Sequence, residues 1–402
     1  MKPPASYLRG NVLPTVVVVS VVMLTALLGL VMLWQQETLL FTRSQRLRQA
    51  RADAESAYML YRRHPDSDVL TVPDGCLLYD SLPQSRVFVQ TEPWGLYEAV
   101  RVRTADSLIR VCRLFGAEPE AGNTLFYADN RSAVTLAGQT FLQGSLRMPW
   151  NGLIYGRVGS DFYRGPQIPH TAIMRADTRL PQSDPEAALR MAALLAVSPD
   201  HSAVPPDSLY VSFLQDSAAV FNLGNAEIGD CSLRGRIMLC GDELRIDSTC
   251  RFEHPLIVAR KIIVGSGAHI SAQLFARDTV VIEPRAMLEY PSGIYAGVYA
   301  EVGDRAEVNG YAIVRDTAVR KKISANYRQL RTARLRGLLW VDGIAQMQGI
   351  VSGWVIVRQA VYFSPQGYYK DMLYDITLLE NSVTAQPLWL SAMRRKEAAC
   401  VD

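Results

Sequence analysis

A six-residue period between residues 238 and 288 constrains the fold of this chain more than any other feature of its sequence. Two registers of every sixth residue, set two positions apart, give eighteen positions. All eighteen are apolar, although only 49% of the chain is apolar. The first register is Met238, Leu244, Cys250, Leu256, Ile262, Ala268, Leu274, Val280 and Ala286. The second register is Cys240, Ile246, Phe252, Val258, Val264, Ile270, Ala276, Ile282 and Leu288.

A β-strand turns successive side chains to opposite faces, so residues two apart share one face. A repeat of inward, outward and inward residues followed by a turn is therefore one side of a triangular β-helix. Three such sides make a coil of roughly 18 residues, and stacked coils bury one continuous apolar column. The period predicts a mainly β fold built on such a β-helix.

The outward residue of each predicted strand sorts by side. The three sides carry Leu239, Ile257 and Phe275; Arg245, Ile263 and Val281; and Arg251, His269 and Met287. Two of these exteriors are apolar, and extended apolar faces are normally covered. We expect the helix 35–63, the region 65–120 or another subunit to cover them.

The same spacing returns around residues 134–148, 300–314 and 339–357. We therefore expect the β-helix to occupy residues 131–360, with insertions at about 150–230 and 315–336. Residues 65–130 contain four short strand patterns separated by turns, which predict a small antiparallel β domain. Residues 361–402 are expected to form C-terminal strands and a polar tail.

An uncharged apolar run at residues 16–34, extended upstream to residue 12, predicts a transmembrane helix over residues 12–34. Roughly 20 helical residues span a bilayer core. A cleaved secretory signal is the alternative, but the run ends in a poor cleavage site. Residues 1–11 form a basic leader. Arg43, Arg46, Arg48 and Arg51 follow the run, so basic residues flank both of its ends and leave the orientation open.

Residues 35–64 predict an amphipathic stalk helix, because residues 35–63 lack glycine and proline. Leu40, Leu47, Ala54 and Tyr61 recur every seventh position, with Ala50 and Ala57 on the same stripe. This seam could pack against the chain's own domain or against copies of itself and partner proteins.

Charge and residue spacing give little support for an active site. The 42 basic and 39 acidic residues nearly balance, which argues against nucleic-acid binding by the whole molecule. The six cysteines show no metal-binding spacing, and Cys76 and Cys112 could form a disulfide outside a reducing compartment. His254 and His269 lack an evident partner for acid–base work. We predict no catalytic, cofactor-binding or metal-binding residues and no small-molecule substrate.

A basic segment at 315–336 is a candidate site for an acidic polymer, with a solvated loop or short basic helix as the alternative. Its candidate residues are Arg320, Lys321, Lys322, Arg328, Arg331, Arg334 and Arg336.

Arg9-Gly10-Asn11 leads directly into the apolar run and resembles the processing junction of type IV pilin-like proteins. The Ala-rich stretch from Arg48 and the Gly-rich segment 337–357 resemble long minor pilins, although Thr15 stands where that family usually has Glu. The resemblance implies cleavage between Gly10 and Asn11, and a C-terminal region outside the bacterial inner membrane. Residues 238–288 separately resemble bactofilins, whose triangular β-helices polymerise end to end.

These observations favour a non-enzymatic, membrane-anchored structural or assembly protein, a minor-pilin-like component of a type IV pilus or type II secretion apparatus. Its partners would be the membrane and other envelope proteins, bound through the helix 35–63 and the apolar outer faces of the β-helix. A bactofilin-like polymerising scaffold is the alternative. A β-helical enzyme of the acyltransferase or carbohydrate-active type is the third.

Overall fold

The computed structural model describes residues 12–67, 72, 74–79, 85–120, 122–197, 204–315, 323–365, 367–381, 383–391 and 394–402. Within these residues the fold is mainly β. The helices are α1 (Val12–Arg63) and α2 (Pro185–Ala196). The strands are β1 (Cys76–Leu77), β2 (Arg86–Trp94), β3 (Tyr97–Thr104), β4 (Arg110–Ala117), β5 (Asn123–Tyr127), β6 (Val134–Ala137), β7 (Phe141–Leu142), β8 (Ser145–Met148), β9 (Leu153–Tyr155), β10 (Arg157–Val158), β11 (Asp161–Phe162), β12 (Ile173–Arg175), β13 (Ser208–Val211), β14 (Ala219–Asn222), β15 (Ala226–Ile228), β16 (Ser232–Gly235), β17 (Ile237–Cys240), β18 (Glu243–Ile246), β19 (Arg251–Val264), β20 (His269–Ile282), β21 (Met287–Ala296), β22 (Tyr299–Val302), β23 (Glu307–Arg315), β24 (Tyr327–Gln329), β25 (Arg334–Met347), β26 (Gly349–Ser364), β27 (Gly367–Lys370), β28 (Met372–Tyr374), β29 (Ile376–Leu379) and β30 (Arg395–Cys400).

The apolar run and the stalk form one continuous helix, α1, of 52 residues. At 1.5 Å per residue α1 is roughly 78 Å long. Its first part is exposed on all sides, and α1 is long and apolar enough to cross a membrane. From Ala50 onward one face of α1 is buried.

That buried face packs on an antiparallel sheet with the strand order β1-β2-β3-β4-β30. The core between helix and sheet contains Ala54, Ala57, Tyr58, Tyr61, Val87, Val89, Val100, Val102 and Phe115. Alternate residues of β2 and β3 supply the valines, as a half-buried strand requires. The C-terminal part of the seven-residue stripe on α1, which includes Ala54 and Tyr61, therefore packs against the chain's own sheet.

Most of the other strands form one parallel sheet that closes on itself, here called the closed sheet. Strands pair with the strand one layer later, typically three six-residue periods along the chain, as in Leu244 with Ile262 and Ile262 with Val280. The offset widens where the chain makes an excursion between layers, as in Ala300 with Tyr327. The strands β28, β6 and β9 form a separate three-stranded sheet beside it.

One row of paired residues shows the order of the layers. It runs Phe221, Leu239, Ile257, Leu274, Ile294, Ala312, Leu339, Val355, Leu125, Leu146 and Ile173. The early strands β5, β8 and β12 thus continue the sheet beyond the late strand β26. The predicted insertions contribute strands as well: β12–β15 lie within 150–230, and β24 and the start of β25 lie within 315–336.

Fourteen of the eighteen period positions lie in the central core of the closed sheet, together with Tyr127 and Tyr327 from other layers. The other four, Met238, Cys240, Leu256 and Val258, face the opposite way. Leu239 and Ile257, predicted to point outward, lie in the central core instead, so the predicted phase is wrong for β17 and for that part of β19. The pairing of β19 with β20 shifts by one residue after Glu253, so that Ile257 pairs with Leu274 instead of with Phe275. Leu274 therefore faces inward, as predicted.

On the side of the closed sheet where Ile257 and Leu274 face inward, the outward residues form a second core with the antiparallel sheet and α2. Phe275 and Tyr311 from the closed sheet pack there with Trp94, Tyr97 and Met191. Trp389, from the segment before β30, packs in the same core. The apolar exterior of this side is therefore covered by the same chain.

Glycines stack at one corner of the closed sheet, where Gly310 pairs with Gly337 and Gly337 with Gly353. Their φ angles are +142°, +126° and +144°, a region that residues other than glycine rarely adopt. A Cβ on Gly337 would lie 1.8 Å from the carbonyl oxygen of Gly310. The layers can approach at this corner only because the side chains are absent.

Candidate functional site at the helix–sheet junction

Four elements meet at the carboxylate of Glu98, which lies on β3 and is largely buried. The hydroxyl of Tyr61, on α1, donates to this carboxylate. Arg395, on β30, donates from Nε at 3.1 Å, and Arg190, on α2, approaches within 3.5 Å. Burial and then the charge of Glu98 raise the pKa of Tyr61, so its hydroxyl stays protonated and acts as the donor.

A second set of contacts fixes the same helix one turn earlier. The hydroxyl of Tyr58 donates to the backbone oxygens of Val100 and Val111, at 3.3 and 3.0 Å. The Arg113 guanidinium lies 4.5 Å from the Tyr58 ring centroid and forms ion pairs with Glu55 on α1 and Glu397 on β30. Helix, sheet and C-terminal strand are thus joined by directional contacts as well as by apolar packing.

The antiparallel sheet is fastened in turn to the closed sheet. The side chain of Gln273 accepts from the Leu96 amide and donates to the Trp94 carbonyl, both at 2.9 Å. The indole of Trp94 donates to the carbonyl of His254 at 2.9 Å. A continuous chain of buried contacts therefore leads from α1 to the closed sheet.

The predicted processing residues Gly10 and Asn11 lie outside the described residues, as do Arg320, Lys321 and Lys322. The described members of the basic segment are spread over β24, the following turn and β25. Arg328 lies 3.9 Å from Glu301, Arg331 3.4 Å from Asp375, and Arg334 3.5 Å from Glu307. Arg336 is exposed.

The cysteines are arranged differently from the predicted pairing. Cys76 and Cys112 lie on β1 and β4, three strand spacings or roughly 14 Å apart, which is too far for a disulfide. Cys231 and Cys250 are instead in contact, with sulfur atoms 3.7 Å apart. Their separation in sequence is close to one layer of the repeat, a signal that could have identified the pair.

The two candidate histidines lie in unlike places. Nδ1 of His254 lies 3.4 Å from the Ser271 hydroxyl, and burial lowers the pKa of His254. His269 is exposed, and its Nε2 forms a hydrogen bond with Oε1 of Glu289 at 2.6 Å. Among the described residues, no group of three or more His, Cys, Asp or Glu side chains is placed to hold a metal ion.

A cleft of about 480 Å³ opens beside the antiparallel sheet, lined by Arg101, Arg103, Arg110 and Phe88 among others. Arg103 and Arg110 are direct cross-strand partners, an arrangement in which like charges repel. The Arg103 guanidinium lies 4.5 Å from the Phe88 ring centroid. Both arginines line the cleft, together with Asp216.

Over the residues that the structure describes, fold and junction define a mainly β protein with an N-terminal helix that is long and apolar enough to cross a membrane and that packs on the antiparallel sheet. No family model matches the chain, and neither do the curated proteins or the solved structures compared with it.

Proposed function

We propose that this protein is a single-pass, membrane-anchored structural or assembly component of the bacterial envelope, similar to the minor pilins of type IV pili and type II secretion systems. One observation carries the proposal. The first part of α1 is apolar and exposed, while its last part is fixed to the β domain.

The exposed part of α1 needs an apolar environment. Residues 13–34 match the thickness of a bilayer core, and Glu37 and Arg43 follow them. Residues 35–49 remain outside both the bilayer and the buried helix–sheet core, and Leu39, Leu40 and Phe41 are exposed there. In the proposed function this short segment contacts the helices of partner proteins.

The junction at Glu98 suits an assembly role. Because α1, α2, β3 and β30 converge on one carboxylate, a change in the direction of α1 moves the β domain with it. A helix on a flexible linker would not couple the two. The domain is thereby held at a fixed angle to the membrane helix.

In this proposal the closed sheet is a triangular β-helix, each coil made of three sides of one six-residue period. The offsets of three periods between paired strands and the row of eleven stacked residues support that geometry. At roughly 4.8 Å per layer, the row extends for about 48 Å. The β-helix would present its surface outside the inner membrane.

Two experiments test the proposal. N-terminal sequencing of the protein from cells is expected to find a mature chain beginning at Asn11, and an intact Met1 counts against pilin-like processing. Site-specific cross-linking with Leu40→Cys is expected to capture envelope partners, and Met59→Cys, exposed on the domain part of α1, is the control. Equal capture at both positions would contradict a partner surface at 35–49.

A bactofilin-like polymerising scaffold on the cytoplasmic side is the second candidate, favoured by the ends of the closed sheet. Among the described strands, β13–β15 pair on one side only, with β16–β18, and β12 pairs with β8 alone. Such open edges can pair with another chain. Filaments of the full-length protein in detergent that disappear in Val220→Lys, on β14, would support the scaffold. Protease protection of residues 204–402 in intact cells but not in lysates would place the domain inside.

A further inference from the structure

Cys231 and Cys250 lie in neighbouring layers of the closed sheet, immediately before the paired residues Ser232 and Arg251. Both side chains belong to the central core. Their sulfur atoms are 3.7 Å apart, and the Arg251 amide donates to the Cys231 carbonyl at 2.8 Å. The backbone contact holds the two residues side by side whatever the state of the thiols.

This placement suits a disulfide. Neighbouring strands of a sheet lie about 4.8 Å apart, which falls within the Cα separation that disulfides span. Side-chain rotation can bring the two sulfur atoms from van der Waals contact to bonding distance. The paired backbone can stay in place while the bond forms.

The other cysteines differ in this respect. Cys76 and Cys112 are kept apart by two strands, and Cys400 is exposed at the end of β30, the outermost strand of the antiparallel sheet. Cys240 lies in the second core, facing away from the central column. Of the six cysteines, all of which belong to the described residues, only Cys231 and Cys250 have their sulfur atoms in contact.

We propose that Cys231 and Cys250 form an intrachain disulfide when the domain folds in an oxidising compartment. The inference rests on the extracytoplasmic position in the proposed function. The two thiols lose two protons and two electrons as the S–S bond forms, and a disulfide oxidant is reduced to two thiols. One Cys thiolate attacks the oxidant's S–S bond and forms a mixed disulfide, which releases the first of the oxidant's two thiols. The second Cys, as its thiolate, then attacks the cysteine sulfur of the mixed disulfide, which forms the intrachain bond and releases the second thiol.

The two thiols share a hydrogen bond in which either sulfur atom can be the donor, and the Cys250 thiol also donates to the carbonyl oxygen of Ile228 at 3.1 Å. The contact with Cys231 lowers the pKa of Cys250, whereas the contact with Cys250, together with burial, raises the pKa of Cys231.

The bond would fasten an exposed end of the fold. The strands β16–β18 form the layer next to the open edge at β13–β15, and the disulfide ties this layer to β19. The loop that it closes is about one layer long, which limits the freedom of the chain when the end layer opens.

The test uses the full-length protein in detergent, in a Cys400→Ser background that prevents cross-links between molecules. The protein is incubated with oxidised glutathione, alkylated after unfolding, and digested without reduction. Trypsin cleaves after Arg234, Arg236, Arg245 and Arg251, so Cys231, Cys240 and Cys250 fall on separate peptides. We expect a cross-linked pair of the Cys231 and Cys250 peptides, about 2 Da lighter than the two reduced peptides together.

The oxidised protein is expected to unfold at a temperature roughly 5 °C above the reduced protein. Cys240→Ser should keep both the cross-link and this difference, whereas Cys250→Ser should lose both. Alkylation of both Cys231 and Cys250, or their cross-linking to other cysteines, overturns the inference. If the disulfide forms with glutathione but both thiols are found reduced in acid-quenched cells, the extracytoplasmic position fails while the pairing stands.

Discussion

The hydroxyl of Tyr61 in the long N-terminal helix α1 donates a hydrogen bond to the carboxylate of Glu98 in the antiparallel sheet. The same carboxylate receives Arg395 from the C-terminal strand and Arg190 from α2. The side chain of Glu98 thus contacts α1, α2 and β30 from its own position on β3. Loss of this carboxylate should therefore weaken the contacts among all four elements.

Replacing Tyr61 by Phe removes one donor and leaves the packing largely intact. Because hydrogen bonds to charged groups are worth about 1.5–3 kcal/mol, we expect the free energy of unfolding to fall by that amount. Urea unfolding followed by tryptophan fluorescence measures it. Tyr79→Phe, at an exposed position, is the control and should stay within about 0.5 kcal/mol of the wild type. Equal effects at the two positions would contradict the role of the Glu98 contact.

The small-residue stripe of α1 gives a second prediction. Ala57 is fully buried against the sheet, whereas Ala52 is exposed on the same helix. Ala57→Leu should destabilise the protein by about 1–3 kcal/mol through overpacking, and Ala52→Leu should be nearly neutral. Thermal unfolding of the two variants in detergent makes the comparison. A neutral Ala57→Leu would mean that the stripe is not tightly packed on its own sheet.

Two glycine substitutions distinguish the cost of backbone strain from the cost of steric overlap at the glycine corner of the closed sheet. Gly337→Ala places a Cβ 1.8 Å from a backbone oxygen and is expected to abolish folding or to cost well over about 2 kcal/mol. Gly267→Ala, at φ +76° with open space around the Cβ, should cost only about 1–2 kcal/mol. Soluble yield and urea midpoints distinguish them, and similar losses at both sites would argue against the close approach of the layers.

His254 predicts a dependence of stability on pH. Burial lowers its pKa below the ordinary value of 6.5, so the folded state prefers the neutral ring while the unfolded chain takes up a proton. This contribution is complete above about pH 6.5 and is lost as the pH falls from there toward the folded pKa. Urea midpoints at pH 7.5, 6.5 and 5.5 should fall more steeply for the wild type than for His254→Asn.

Asn is suited to this substitution because the φ of His254 is +67°. His170→Asn, at an exposed position, is the control and should keep the wild-type slope. Parallel curves for the wild type and His254→Asn would contradict the assignment.

The six-residue period predicted a mainly β fold and most of its central core, because an apolar column leaves a periodic trace. It could not fix the phase around Leu256 and Ile257. Both faces of the sheet are buried there, so inward and outward residues are equally apolar and a one-residue shift goes unseen. The strands β13–β15 of the first predicted insertion were missed because they form an outermost layer and are partly exposed, so their apolar pattern is weak.

The junction at Glu98 could not be predicted either. Tyr61, Glu98, Arg190 and Arg395 are far apart in sequence and show no common spacing. What brings them together is the position of β30 at the edge of β4 and of α2 against the second core, and both are results of tertiary packing.

The stacking of β5 on β26 constrains the order in which the closed sheet can be completed during synthesis. The hydroxyl of Tyr127, at the end of β5, accepts from the amide of Ala360, 233 residues later. The layers from β13 to β26 can add one after another as the chain emerges, each on the one before. The strands β5, β8 and β12, made earlier, can pair with one another but cannot join these layers until β26 exists, so the sheet is completed only when the ribosome has passed it.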